Sequence, residues 1–297
     1  MSKPVHLKKV ARRYRSGWTL GPLDLQIEEG EIFGFLGPNG AGKTTTVKLL
    51  LGLIRPSSGE VEIFGENPAC STAVKQKVGY LSEGNVLYPY LTPAKLIDVI
   101  KPYYPSWNDG FVSRTMERFG IPLKQKIATF SAGMKQELEI ILALAPRPGL
   151  LILDDPTSRL DPLRQQQFLS LLLENKGEEQ TIFLSSHRLH EVERIADRVG
   201  IIKDGKLLAF KSLDEIKTRQ KKIRVVFQKA PPGDLASLAG VADVEREKDS
   251  IILTVDGNLE GVLEELNKHP LFALEVVDQN LEQIFFQYFA EGGNKDV

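Results

Sequence analysis

The run EIFGFLG (31–37) leads directly into GPNGAGKTT (37–45), and the residues after it have helical character. Gly37, Gly42, Lys43 and Thr44 fit the spacing G-x-x-x-x-G-K-[ST]. A chain built around this segment must set a buried strand, a tight loop and a helix in that order, which is the context the spacing requires. Glycines let backbone N–H groups converge on phosphate oxygens, and the helix N-terminus adds its dipole. Lys43 then reaches the outer phosphates and the Thr44 hydroxyl offers a ligand to Mg²⁺. Pro38, Asn39, Gly40, Ala41 and Thr45 complete the cradle. A glycine-rich turn could share the composition, but not the flanking strand and helix.

At about 150 residues per domain, 297 residues predict two domains. The 38 Lys+Arg against 39 Asp+Glu leave a formal charge of −1, so the whole chain has no electrostatic bias towards nucleic acid or anionic lipid. A single cysteine, Cys70, excludes an intramolecular disulfide and a cysteine-only zinc site. The segment MSKPVHLKKVARRYRSGW lacks the apolar core of a signal peptide, and no apolar run approaches the ~18 residues that span a bilayer. Any membrane crossing is expected from another chain.

From about residue 5 to 210, short apolar runs alternate with helical segments. EIFGFLG, VGYL (78–81), LLILD (150–154), TIFLSS (181–186) and VGIIK (199–203) read as strands buried on both faces. Helices are predicted over 43–52, 93–101, 109–119, 133–145, 161–175 and 188–196. This order predicts an α/β domain with a mostly parallel sheet over 1–215, carrying a helical insertion at about 83–145. After the charged stretch KSLDEIKTRQKK (211–222) the texture changes. IRVVF (223–227), VADVEREK (241–248) and IILTV (251–255) read as strands, and Leu281, Ile284, Phe285 and Tyr288 share a helical face. The expectation is a small α+β domain over 222–297.

LLILDD (150–155) supplies a second half for a nucleotide site: a buried strand ending in two carboxylates, at the edge where α/β sheets bind ligands. Asp154 is expected to hold Mg²⁺ and Asp155 to face the attacking water. Taken alone, such a run is also compatible with a solvated Asp-Asp turn.

Together with FSAGMKQEL (130–138), LLILDDPTSRLDP (150–162) and LSSH (184–187), the phosphate loop resembles the nucleotide-binding subunit of an ABC transporter over about 1–215. The tail VVDQNLEQIFFQYF (276–289) is similar to the accessory domain of bacterial export-type members. The resemblance implies a P-loop NTPase core that binds and hydrolyses ATP with Mg²⁺. It also implies a head-to-tail dimer, homodimeric by expectation, that drives a separate membrane permease from the inner face of the cell membrane. Tyr14 falls where the family stacks an aromatic on adenine, a site otherwise read as a surface tyrosine after a strand. Ser131, Ala132, Gly133 and Met134 fall on the signature that closes over the partner's γ-phosphate, and Pro156 to Asp161 on the loop that crosses the dimer interface. His187 matches the switch histidine, and Glu83 in GYLSEGN the residue that senses Mg²⁺ and relays to the permease.

Six positions depart from the family pattern, three of them in the signature. Asp155 stands where glutamate is usual, which draws the carboxylate back by roughly 1.5 Å; misplacement of about 1 Å can cost on the order of 100-fold in rate. Slow hydrolysis is therefore expected unless the loop moves. Glu83 replaces glutamine, the signature reads Phe-Ser-Ala-Gly-Met instead of Leu-Ser-Gly-Gly-Gln, and Arg159 replaces glycine. Two alternatives stay open: a hydrolysis-impaired regulatory subunit of a heterodimer, and a soluble ABC ATPase acting on nucleic acid or ribosomes. No nucleic acid partner is expected, given one P-loop, no long heptad insertion and no basic surplus.

Overall fold

The computed structural model describes residues 3–278 except 83, 85, 86 and 230, and beyond them Leu281, Glu282, Phe285 and Phe289. They form two compact units, one up to Phe210 and one from Lys211 onward.

The first unit is built on a six-stranded sheet of β3 (Ile32–Leu36), β5 (Val78–Leu81), β6 (Leu150–Asp154), β7 (Thr181–Ser186), β8 (Arg198–Lys203) and β9 (Lys206–Ser212), in the order β5-β6-β7-β3-β8-β9. The pairs β5–β6, β6–β7, β3–β7 and β3–β8 are parallel. Every residue of β3, β6 and β7 is buried, as strands covered on both faces must be. Phe33, Phe35 and Phe183 pack with ring centroids 5.4–6.3 Å apart in the core. Asp204 and Gly205, at φ 49° and 77°, join β8 to β9 in the two-residue turn that Asp-Gly favours.

A second sheet, β2-β1-β4, pairs β1 (Val5–Arg13) antiparallel with β2 (Thr19–Ile27) and β4 (Ser58–Ile63). β2, β4 and β9 were not anticipated, and of β1 the sequence reading had only a strand of unstated length before Tyr14. Lys9, at φ 48°, interrupts the alternation of β1 with a bulge, and Gly21-Pro22 gives β2 the composition of a turn.

The predicted helices appear as α1 (Lys43–Leu50), α3 (Pro93–Ile100), α4 (Asp109–Phe119), α5 (Ala132–Leu144), α6 (Pro162–Asn175) and α7 (Leu189–Ile195), with a short α2 (Thr72–Gln76) added. Their starts carry side-chain caps: Thr92 accepts from Lys95 N, Asn108 from Phe111 N, Ser131 from Met134 N and Asp161 from Arg164 N. α3, α4 and α5 all lie between β5 and β6 in the chain.

The second unit is a four-stranded antiparallel sheet in the order β11-β12-β10-β13, made of β10 (Gln220–Phe227), β11 (Val241–Arg246), β12 (Ile251–Asp256) and β13 (Leu271–Asp278). It also holds α8 (Leu213–Arg219) and α9 (Leu259–Leu266). Ile223, Val225, Leu253, Val255, Val262 and Leu266 form its core. The sequence expectation lacked α9 and β13, because a short apolar run such as LFALEVV fits a helix and a strand equally well. Of the expected C-terminal helix, Leu281 is buried and Phe285 stacks on Phe289 at 4.2 Å; Ile284 and Tyr288 lie outside the described residues.

Candidate functional site

Because β6, β7 and β3 are adjacent and parallel, their C-terminal ends share one edge, with Asp154 paired to Ser185 and Leu36 to Ser186. Gly37, Asp155 and His187 therefore follow at neighbouring points along that edge. This is where doubly wound sheets bind ligands.

The loop 37–42 is held by tight packing. A β-carbon on Gly37 would lie 2.4 Å from the Ile202 carbonyl oxygen, and Gly42 caps α1 at φ 118°, a conformation strained for any side chain. Ala41 N donates to Pro38 O at 3.2 Å, and Gly205 N to Ala41 O at 2.9 Å, which tie the loop to itself and to the β8–β9 turn. Lys43 is buried, and its Nζ donates to Gly37 O at 2.8 Å and Pro38 O at 3.2 Å. The ammonium is thus folded over the loop, where a bound phosphate would compete with those two carbonyls. Thr46 Oγ1 donates back to Gly42 O at 3.0 Å and closes the first turn.

Both carboxylates are buried, at 1% exposure for Asp154 and 5% for Asp155. Ser185 Oγ donates to Asp154 Oδ1. Asp155 sits in the left-handed region at φ 45°, which Asp tolerates better than most residues. Its N–H donates to Ser185 O at 3.0 Å. Asp155 Oδ1 accepts from His187 N at 3.1 Å and lies 2.8 Å from His187 Nδ1. An ionised carboxylate can only accept, so this contact requires the Nδ1–H tautomer and leaves Nε2 unengaged by Asp155.

A cavity of about 620 Å³ runs along this edge. Lys43, Thr44, Thr45 and Asp155 line it with Asn39, Gly40 and Gly42, together with Tyr14, Ser16 and Trp18. Tyr14 N donates to Trp18 O at 3.0 Å in the turn from β1 to β2. The rings of Tyr14 and Trp18 stand 5.8 Å apart at 49°, with the Arg12 guanidinium 5.2 Å from the Tyr14 ring centroid. Aromatic rings beside a phosphate loop, with Trp18 3.3 Å from where a β-carbon on Gly42 would sit, fit the base and the phosphates of one nucleotide. Trp18 and Ser16 were not anticipated, although a tryptophan four residues after Tyr14 across a Ser-Gly turn was a readable signal.

The remaining expected residues lie elsewhere. Ser131 caps α5, accepting from Met134 N at 3.2 Å; Ser131 and Ala132 are exposed, and Gly133 and Met134 half-buried. Asp161 caps α6, accepting from Arg164 N at 3.0 Å. None of these five lines the cavity. Glu83 lies outside the described residues. Behind Ser131, burial raises the carboxyls of Glu137 and Glu139, the latter to about 7, against the opposing pull of Arg164 and Arg159 respectively.

The family described as ABC transporter matches residues 20–158. The ABC transporter ATP-binding protein YtrB of Bacillus subtilis is 34% identical over 224 residues, covering 75% of this chain and 77% of YtrB. The bacitracin transport ATP-binding protein BcrA of Bacillus licheniformis is 34% identical over 305 residues, covering 98% of this chain and 99% of BcrA. A solved ATP-binding subunit of an ABC transporter superposes with a TM-score of 0.65 at 30% identity, over 72% of this chain and 91% of that one. A dimeric ATP-binding cassette in a post-hydrolysis state with ADP and Pi superposes at 0.61 with 25% identity, over 70% and 98%. Sequence, fold and cavity agree: the chain belongs to the ABC transporter ATP-binding proteins and is an ATP-binding, ATP-hydrolysing transporter subunit.

Proposed function

We propose that two copies of this chain bind Mg²⁺-ATP head to tail and drive export through a separate membrane permease. The observation that carries this reading is the cavity that Lys43, Thr44 and Asp155 line together with Tyr14 and Trp18, at the sheet edge where Asp154 precedes Asp155 and His187 bonds to it. Tyr14 stacks on the base, the loop 37–45 cradles the phosphates, and Lys43 and His187 balance the charge that develops on the transferred group. Asp155 orients the attacking water.

Thr44 and Asp154 would hold the metal, with Glu83 as the further ligand expected from the sequence. An oxygen-only donor set with one buried carboxylate suits Mg²⁺, which keeps phosphate and water oxygens for its other positions. The ion would supply charge neutralisation between the outer phosphates. Ser131 to Met134 and Asp161 stand clear of this chain's own cavity, which supports their serving the nucleotide of the second copy. Residues 1–215 act as the ATPase domain and 222–297 as the accessory domain, a division supported by the compact units that part at Phe210.

Among the described residues no helix is long and apolar enough to cross a membrane. The permease is a separate chain and this chain sits on its inner face, a reading supported by relatives named as transport ATP-binding proteins. The exposed Tyr88, Tyr90, Val99 and Tyr103 of the helical stretch support it as the permease contact. BcrA, matched along nearly its whole length, is named for bacitracin transport, which supports export. The test is Mg²⁺-dependent phosphate release, wild type beside Lys43→Ala, over a range of protein concentrations. Turnover that rises faster than linearly and vanishes in the variant is the expected result; turnover that survives Lys43→Ala overturns the site.

A further inference from the structure

Helix α5 turns an unusually polar face towards the loop 155–161. Gln136, Glu137 and Glu139 are at most 5% exposed. Gln136 Nε2 donates to Pro156 O, and Arg164 Nη1 to Glu137 Oε1. Among the described residues, Gln136 Oε1, Glu137 Oε2, Glu139 Oε1 and the loop's Ser158 Oγ are buried without a hydrogen-bond partner. Buried oxygens in this number call for donors, and a buried carboxylate calls for a cation. Arg159 carries five N–H groups in a planar fork, yet it is exposed and makes no hydrogen bond or short ion pair among the described residues. Its Nη2 leans over Gly84, 3.0 Å from where a β-carbon would sit. Its charge is nonetheless the one that acts on Glu139.

We propose that Arg159 and Glu139 are a positioning pair: Arg159 turns inward from Gly84 to bind the Glu139 carboxylate, and this contact seats the loop 155–161, and with it Asp155, for hydrolysis. The loop can carry the motion, because the residues on either side of Arg159 are tied back along it: Ser158 N donates to Asp155 O at 3.2 Å and Leu160 N to Thr157 O at 3.1 Å. The inference rests on the proposed role of Asp155 and adds what holds that residue in place.

The test is a double-mutant cycle in the full chain, measuring kcat and KM for ATP in wild type, Glu139→Gln, Arg159→Gln and the double variant. Each single variant is expected to lose about five- to tenfold in kcat with KM held within about twofold, and the double to lose no more than either single. Arg159→Lys should recover part of the loss. A double variant whose loss is the product of the two singles, or singles with unchanged kcat, overturns the pair. If Glu139→Gln does not fold, the exposed Arg159 carries the test: no loss in Arg159→Gln, or no recovery in Arg159→Lys, overturns it. Lys43→Ala run in the same assay separates the two readings. Surviving turnover there overturns the nucleotide site and the pair with it, whereas Lys43-dependent turnover with a multiplicative cycle overturns the pair alone.

Discussion

Asp155 and His187 are joined twice, since one carboxylate oxygen, Oδ1, meets both the backbone N–H of His187 at 3.1 Å and its Nδ1 at 2.8 Å. The shorter side chain is therefore tied to His187 at the end of β7 through Oδ1, while it also lines the cavity beside Lys43 and Thr44. One methylene more would carry the carboxylate roughly 1.5 Å outward.

Asp155→Glu is expected to raise kcat by about tenfold, because a displacement of about 1 Å at a reacting group is worth on the order of 10²-fold and the loop recovers part of it. Asp155→Asn should lower kcat by about 10²-fold while ATP still binds. Steady-state phosphate release beside a nucleotide-binding titration checks both; a glutamate variant no faster than wild type would mean that the loop already compensates.

Lys43→Ala removes the ammonium that bridges Gly37 O and Pro38 O as well as the charge offered to phosphate. ATP affinity should fall by at least about 10²-fold, since charge-assisted contacts are the strong ones. Equilibrium binding of a fluorescent ATP analogue measures the loss, and affinity within twofold of wild type would contradict it.

The aromatic wall should act on binding and not on the chemical step. Tyr14→Ala and Trp18→Ala are each expected to raise KM for ATP about five- to tenfold, the scale of one base–aromatic stack, with kcat within about twofold. The chain has two tryptophans, Trp18 and Trp107. In a Trp107→Phe background, nucleotide should quench the emission of Trp18; emission that ATP leaves unchanged would remove Trp18 from the site.

Glu139 makes stability pH-dependent. Burial pushes its carboxyl up to about 7 from 4.5, so between those values the native state binds the proton more readily than the unfolded chain does. Its contribution is favourable at low pH and is lost as pH rises through about 7. Glu31 and Glu137 are raised by burial in the same direction. Urea midpoints should therefore fall from pH 5 to pH 8, and Glu139→Gln should flatten the fall and exceed wild type at pH 8. An unchanged slope in the variant would exclude Glu139 as its source.

Two kinds of signal made much of this molecule readable from its residues. The strands 150–154 and 181–186 were located to the residue because a strand covered on both faces has a continuous apolar run, Leu150–Leu153 and Ile182–Leu184, which small or acidic residues close at the strand ends. The phosphate loop was readable because glycine spacing and a following Lys-Thr have few other uses. The sheet of β1, β2 and β4 was not, since bulged, half-exposed strands with charged residues and a Gly-Pro carry no clean period.

What the sequence determined by itself, then, is the set of local elements and the chemical parts they carry: the strand-loop-helix of 31–50, the carboxylates after β6, the histidine after β7. Only the tertiary structure decided which parts meet. The parallel order β6-β7-β3 brings residues 37, 155 and 187 to one edge, and tertiary packing joins Asp155 to His187, sets Trp18 into the same cavity lining as the phosphate loop and buries Glu139. The physical reason is range. Period, capping and loop chemistry act within a few residues, whereas pairing partners, burial and the charge that faces a carboxylate depend on segments far apart in the chain, and no local pattern encodes them.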